Sequence, residues 1–117
     1  MQYIILYKGE HKMDIQLKKG LLDVCVLSAI RKQESYGYKI ISDLKPYVEI
    51  SESTLYPILR RLESAGAVTV RSAEYNGRLR RYFKITSVGK EKIKQFIETI
   101  QQFKKISEFI LEGDHYD

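Results

Sequence analysis

Along the chain, hydrophobic and polar positions alternate with three different rhythms. Leu21, Leu22, Val24, Cys25, Val26, Leu27 and Ile30 make the stretch 17–33 apolar on more than one side, which predicts a helix buried on two fronts. Cys25 reads there as a small hydrophobe. Glu34-Ser35 predicts a turn with Ser35 as N-cap, and 36–44 a short second helix. Its apolar positions are Ile40, Ile41 and Leu44, Tyr38 is expected to pack inside, and Pro46 ends it. Ser51 then caps a third helix over 52–65, closed by Gly66. Leu55, Ile58, Leu59 and Leu62 fall at i, i+3, i+4 and i+7, a single core stripe. Ser53, Pro57, Arg60, Arg61 and Ser64 are expected to project away from that stripe, with Thr54 and Tyr56 on its flanks. Pro57 is awkward inside a helix, since it removes one backbone bond and crowds the carbonyl of Ser53.

After Gly66 the period drops to two. Val68 and Val70 alternate with Thr69 and Arg71, Asn76-Gly77 is a strong hairpin signal, and 80–86 is the return strand. Arg81, Phe83 and Ile85 share one face of that strand, and Tyr82 and Lys84 the other. Thr86 or Ser87 then caps a long helix over 88–111. Ile93, Phe96, Ile100, Phe103 and Ile110 form a coiled-coil-like seam on it, with Ser107 where an apolar residue is expected. Ile97 and Ile106 widen the stripe.

This order predicts an α+β, mostly helical fold: a winged helix-turn-helix with a long C-terminal dimerisation helix. The winged domain spans 13–88, the dimerisation helix 89–111 and an acidic tail 112–117. For residues 1–12 two readings stand. Lys8-Gly9-Glu10 can be encoded by a purine-rich ribosome-binding sequence ahead of Met13, which makes 1–12 a translated leader; the alternative is an N-terminal strand or arm.

Charge sharpens the picture. The 117 residues hold 20 Lys plus Arg against 15 Asp plus Glu, and the surplus is confined to 17–89, where 13 basic side chains face 7 acidic ones. A polyanion finds its footing there. A single Cys and two His at opposite ends exclude an internal disulfide and a zinc site. With no acid–base pair or nucleophile set in view, neither an enzyme nor a cofactor is expected. No run approaches the roughly 20 apolar residues of a membrane span, so a cytoplasmic protein without a membrane partner is expected.

A helix entering the major groove presents small or basic side chains near its N-terminus, while the preceding helix crosses the backbone. Arg60 and Arg61 suit phosphates or guanine edges, and Ser51, Ser53 and Thr54 can donate to phosphate or base. Arg78, Arg80 and Arg81 surround the turn of the wing, where they can meet the minor groove or flanking phosphates. Taken singly these features have plainer explanations: a solvated face for the paired arginines, a blunted sheet edge for the wing. Together, in helix-turn-helix order, they favour double-stranded DNA as partner. The alternative is a winged-helix protein–protein interaction module without DNA binding. The Phe/Ile stripe of the last helix would be partly stranded in a monomer. Docking it on a second copy, together with Leu21, Leu22 and Cys25 of the first helix, predicts a homodimer with two reading heads on a palindromic operator.

Tyr36-Gly37-Tyr38-Lys39-Ile40, then Ser51-x-x-Thr54-Leu55-Tyr56-Pro57-Ile58-Leu59-Arg60-Arg61-Leu62-Glu63-x-x-Gly66, then Arg80-Arg81-Tyr82-Phe83-x-Ile85-Thr86-x-x-Gly89 resemble the PadR family of bacterial transcriptional regulators. The resemblance covers about residues 17–110. It implies a homodimeric repressor with Tyr36 and Lys39 at the DNA backbone, and Ser53, Thr54, Tyr56 and Arg60 in the major groove. Pro57 belongs to the same motif, and Asn76, Gly77, Arg78 and Arg80 to the wing. The single C-terminal helix is similar to the compact subgroup, some of whose members bind planar drugs between subunits, which implies a small hydrophobic effector. Ser53 departs from the pattern where a Gly is common, and Glu49 and Glu52 place negative charge beside the reading end. With no Trp in the chain, the aromatic sandwich of drug-binding members is missing, and Phe96, Phe103 and the tyrosines are weaker substitutes for it.

Overall fold

A computed structural model describes residues 15–114; the expectations for the leader, for the start at Met13 and for the end of the tail fall outside them. The elements are α1 (Ile15–Ala29), α2 (Gly37–Leu44), α3 (Glu52–Ser64), β1 (Val68–Tyr75), β2 (Arg78–Ile85) and α4 (Ser87–Asp114). This is the α+β winged helix-turn-helix. Three helices pack round one core, an antiparallel hairpin forms the wing, and a long helix leaves the domain.

Helix α1 stops at Ala29, short of the expected 33. Ile30 N–H and Arg31 N–H turn back to the carbonyls of Leu27 and Ser28, tightening the last turn, and Ile30 is then fully buried. The expected cap of α2 also moves. Tyr36 occupies the N-cap position, without a side-chain cap bond. Ser35 is instead a buried bridge residue. Its N–H donates to Phe83 O at 3.0 Å and its carbonyl accepts from Phe83 N–H at 2.7 Å, so residue 35 forms a one-residue third strand on β2. Tyr38 corrects a second expectation: it is 74% exposed. The buried positions of α2 are Gly37, Ile40 and Leu44, and at about 100° per residue Tyr38 lies off that stripe.

Helix α3 keeps its course through Pro57, because Leu55, Ile58, Leu59 and Leu62 are all buried and hold both halves on one core. Each such side chain stabilises the fold by roughly 1.5–3 kcal/mol. Ser51 accepts from Thr54 N–H at the start. At the end Gly66 adopts φ 77°, with Ala67 N–H donating to Leu62 O and Gly66 N–H to Glu63 O, the paired closing bonds of a Schellman motif. The wing turns on Asn76 (φ 50°) and Gly77 (φ 76°), both left-handed as a two-residue type I′ loop requires. The register Val68↔Ile85, Val70↔Phe83 puts the apolar pairs on the core face.

Thr86 joins wing to α4: its hydroxyl donates to Gly66 O at 2.6 Å and accepts from Gly89 N–H at 3.2 Å. The first turns of α4 lie on α1, and Ile93 is part of the domain core. Beyond Phe96 the helix is largely exposed among the described residues. Its 28 residues span about 42 Å, which stretches the molecule to 63 × 31 × 22 Å. Among the described residues no helix is long and apolar enough to cross a membrane.

Candidate nucleic-acid interface

One side of the molecule gathers the N-terminus of α3, the start of α2 and the wing. Capping places three hydroxyls together at the head of α3: Ser51 Oγ lies 2.8 Å from Ser53 Oγ and 3.3 Å from Thr54 Oγ1. The positive end of the helix dipole and its free N–H groups point the same way, a setting that favours an anion. Ser53, Thr54, Pro57 and Arg60 are exposed in one strip along α3. Arg60 makes no ion pair among the described residues, so its charge is open to solvent. Because Pro57 has no N–H, the Ser53 carbonyl lacks its usual intrahelical donor on this same side.

Its neighbour Arg61 does something different. The expectation that Arg61 shares the outward face is corrected: its guanidinium turns back to α1 and pairs with the carboxylate of Asp23. One step along a helix is about 100°, which carries residue 61 toward α1 and away from the strip. Its Nε is buried without an acceptor. Arg61 thus ties α3 to α1.

Tyr56 is half-buried, its ring lying over Gly37, where a Cβ would fall 3.0 Å from Cζ. Glycine at 37 leaves the room that the Tyr56 ring occupies against α2, and a larger residue there would make the ring shift. Lys39 pairs with Asp43 at 2.8 Å, one turn along α2, and that hydrogen bond raises the lysine pKa. Lys39 therefore stays charged and partly exposed, lining a hollow with Ser28, Glu34 and Asp43.

On the wing, Arg78 is exposed and Arg80 half-buried. The guanidinium of Arg80 lies 3.8 Å from the ring centroid of Tyr36 and 3.8 Å from that of Tyr75. Tyr36 meets Tyr82 edge-on at 5.8 Å and 78°. Arg71 lies 4.6 Å over Tyr82 and pairs with Glu34, whose carboxyl it holds below the usual carboxylate range. Leu79, beside the turn, is 79% exposed. A groove of about 690 Å³ opens between the wing and α2/α3, walled by Tyr36, Tyr56, Arg78, Leu79 and Arg81.

The structure thus brings Tyr36, Tyr56, Asn76, Arg78 and Arg80 together round one groove, which Glu52 also lines; Ser51, Ser53, Thr54, Pro57 and Arg60 are exposed on α3 and Gly77 in the wing turn, while Lys39 lines a separate hollow with Glu34 and Asp43. Sequence reasoning misses Tyr75, although the alternation of the strands about Asn76-Gly77 carries a signal for it. The turn fixes the pairs Tyr75↔Arg78 and Ala73↔Arg80, so Tyr75 and Arg80 share a face.

The expected dimer surface divides. Leu22 and Ile93 are buried in the protomer's own core, which corrects their assignment to a partner, and Phe96 is half-buried with Cε1 near Gly20 of α1. Leu21 and Cys25 are half-buried on α1, and burial pushes the Cys25 thiol pKa up. Ile97, Ile100, Phe103, Ile106 and Ile110 are exposed, together with Phe109 and Leu111. A cleft of about 250 Å³ lies between α1 and α4, lined by Asp23, Val24, Leu27, Lys92 and Phe96. Among the described residues no three His, Cys, Asp or Glu side chains are grouped to hold a metal.

The model of the PadR-like transcriptional regulator family matches residues 26–95. A solved Streptococcus mutans protein is 35% identical, with a TM-score of 0.71, covering 81% of this chain and 90% of its own. A PadR family transcriptional regulator from Eggerthella lenta is 28% identical, with a TM-score of 0.74 and coverage of 84% and 88%. Bacillus subtilis PadR, solved in complex with operator DNA, is 26% identical with a TM-score of 0.62; the match covers 66% of this chain and 46% of that longer one.

Proposed function

The chain belongs to the PadR-like family of transcriptional regulators, and on that premise we propose that it is a homodimeric repressor that binds a palindromic operator in the cytoplasm. Helix α3 enters the major groove, with Ser53, Thr54, Pro57 and Arg60 toward the bases and Ser51 and Tyr56 at its margins. Tyr36 and Lys39 lie along the phosphates, and the Asn76-Gly77 turn delivers Arg78 and Arg80 to the flanking backbone or minor groove. The observation that carries this reading is the groove that joins the head of α3, through Glu52 and Tyr56, to the arginines of the wing, together with the exposed strip Ser53, Thr54, Pro57 and Arg60 on the same helix. That face sets Arg78, Arg80 and Arg81 against one carboxylate, Glu52, among tyrosines and Leu79, and its excess positive charge suits a phosphate backbone.

The second copy docks on the distal half of α4. Ile100, Phe103 and Ile110 follow one seam there, with Ile97 and Ile106 beside it, and all are exposed. An apolar strip of this kind is rare on a monomer. Phe96 borders the same surface and, with Val24 and Leu27, lines the cleft beside α1; Leu21 and Cys25, half-buried elsewhere on α1, complete the interface. A small hydrophobic effector entering that cleft would press on α4, change the spacing of the two reading heads and release the operator.

Salt dependence tests the DNA reading. With several phosphates neutralised per dimer, the logarithm of affinity for a duplex falls linearly with log salt at about −0.9 per phosphate. A slope of several units is expected; an affinity independent of salt would contradict the reading and favour the protein–protein alternative.

A further inference from the structure

Arg80 is the one wing cation placed against two aromatic rings at once, and those rings come from separate parts of the fold. Tyr75 ends β1 beside the turn, and Tyr36 caps α2. We propose that Tyr75, acting with Tyr36, is a positioning residue for Arg80, which it holds edge-outward for a DNA phosphate; this role rests on the DNA-binding reading above.

The geometry supplies the reason. A guanidinium carries its five N–H donors in its own plane, so stacking occupies its faces and leaves the donors free at the rim. Both centroid distances of 3.8 Å are well inside the roughly 6 Å reach of a cation–π contact. An unrestrained arginine loses rotamer freedom when it meets a phosphate, whereas a stacked one has lost part of it already. Position matters as much as freedom. Tyr36 stands at the start of the helix-turn-helix, so Arg80 links the hairpin to α2 and sets how far the wing stands from α3. The contacts continue away from the DNA side through Tyr82, edge-on to Tyr36, to Arg71 and its partner Glu34. The Ser35–Phe83 backbone pair pins the same segment to β2. The wing is therefore braced along its length, and Tyr75 is the brace nearest its tip.

The experiment is a double-mutant cycle on a random-sequence DNA duplex, with salt titrations of the wild type, Tyr75→Leu, Tyr75→Phe, Arg80→Ala and Tyr75→Leu/Arg80→Ala. Arg80→Ala is expected to reduce the log–log salt slope by about 0.9 for each phosphate that is no longer neutralised. Tyr75→Leu is expected to weaken binding about two- to fivefold per subunit, and Tyr75→Phe to restore it, since the ring and not the hydroxyl does the stacking. In the Arg80→Ala background Tyr75→Leu is expected to have no further effect. Equal losses from Tyr75→Leu in both backgrounds would overturn the positioning role, as would a neutral Tyr75→Leu in a protein whose wild type binds. A wild type that binds no duplex would overturn the DNA reading itself. The stack has a readout without DNA: ring currents from two tyrosines should move the Arg80 δ-methylene protons upfield in the free protein, and Tyr75→Leu should relax that shift. Unshifted protons in the wild type would overturn the stacking.

Discussion

Arg60 and Arg61 are neighbours of identical chemistry with opposite expected roles, and replacing each by alanine separates them. Arg61 pairs with Asp23 across the α1–α3 contact, with side chains 38% and 25% exposed. An exposed pair contributes about 0–1 kcal/mol, and breaking a fully buried one costs about 3–5 kcal/mol. Partial exposure places Arg61→Ala between them, at about 1–2 kcal/mol of lost stability, part of it the cost of leaving Asp23 without its partner. For a domain of this size that lowers Tm by about 5–10 °C, measured by thermal denaturation at fixed protein concentration because the proposed dimer would also add to stability. Arg61→Ala combined with Asp23→Ala should be less destabilising than the sum of the single changes, by about 1 kcal/mol. Arg60→Ala should leave Tm nearly unchanged, within about 0.5 kcal/mol, yet lose about 1–3 kcal/mol of discrimination between operator and random duplex. The reverse pattern, with Arg61→Ala thermally silent but sequence-blind and Arg60→Ala destabilising, would refute the assignment.

Other consequences are as direct. Ser51→Ala should cost about 1 kcal/mol through loss of the α3 cap, seen in urea denaturation. Gly89→Ala should destabilise more, because its Cβ would fall 2.6 Å from Ile85 Cγ1 and against the Ala67 carbonyl; impaired folding in cells or a lower urea midpoint checks this. Ile100→Asp with Phe103→Asp should give monomers by sedimentation while the winged domain stays folded, and a persisting dimer would move the interface elsewhere. Because Arg71 lowers the Glu34 pKa, the support this pair gives the wing is present above the ordinary glutamate value of about 4.3 and is lost only as pH falls through the lower folded value. An NMR titration of Glu34 should therefore move back toward that value in Arg71→Ala.

Much of the architecture was legible because it rests on local chemistry with few alternatives. The Ser51 cap, the closing Gly66 and the Asn76-Gly77 turn fix where α3 begins and ends and where the wing reverses, and all three adopt the expected geometry. What escaped depends on pairing across the chain. Ser35 reads as a helix cap because nothing local reveals its bridge to Phe83, which is distant in sequence. Arg61 reads as outward because it borders the polar face, and its acceptor Asp23 lies in another helix. Leu22 and Ile93 belong to the same seams as the residues proposed to face a second copy, yet the protomer itself covers the first turns of α4. Tyr38 looks like packing by composition, but the phase of α2 turns it to solvent. In the site, the exposed strip of α3 follows from periodicity alone. The stacking of Arg80 between Tyr36 and Tyr75 required both the hairpin register and the third-strand position of residue 35.

The central claim is that two outward α3 faces, presented by one dimer, read one double helix. Selection of bound duplexes from a random DNA library tests it most directly. The account predicts enrichment of an inverted repeat whose half-sites are about one helical turn apart, about 34–36 Å between centres, with preference relaxed by Arg60→Ala. Recovery of unenriched sequence, or of a single half-site bound by one protomer, would contradict it.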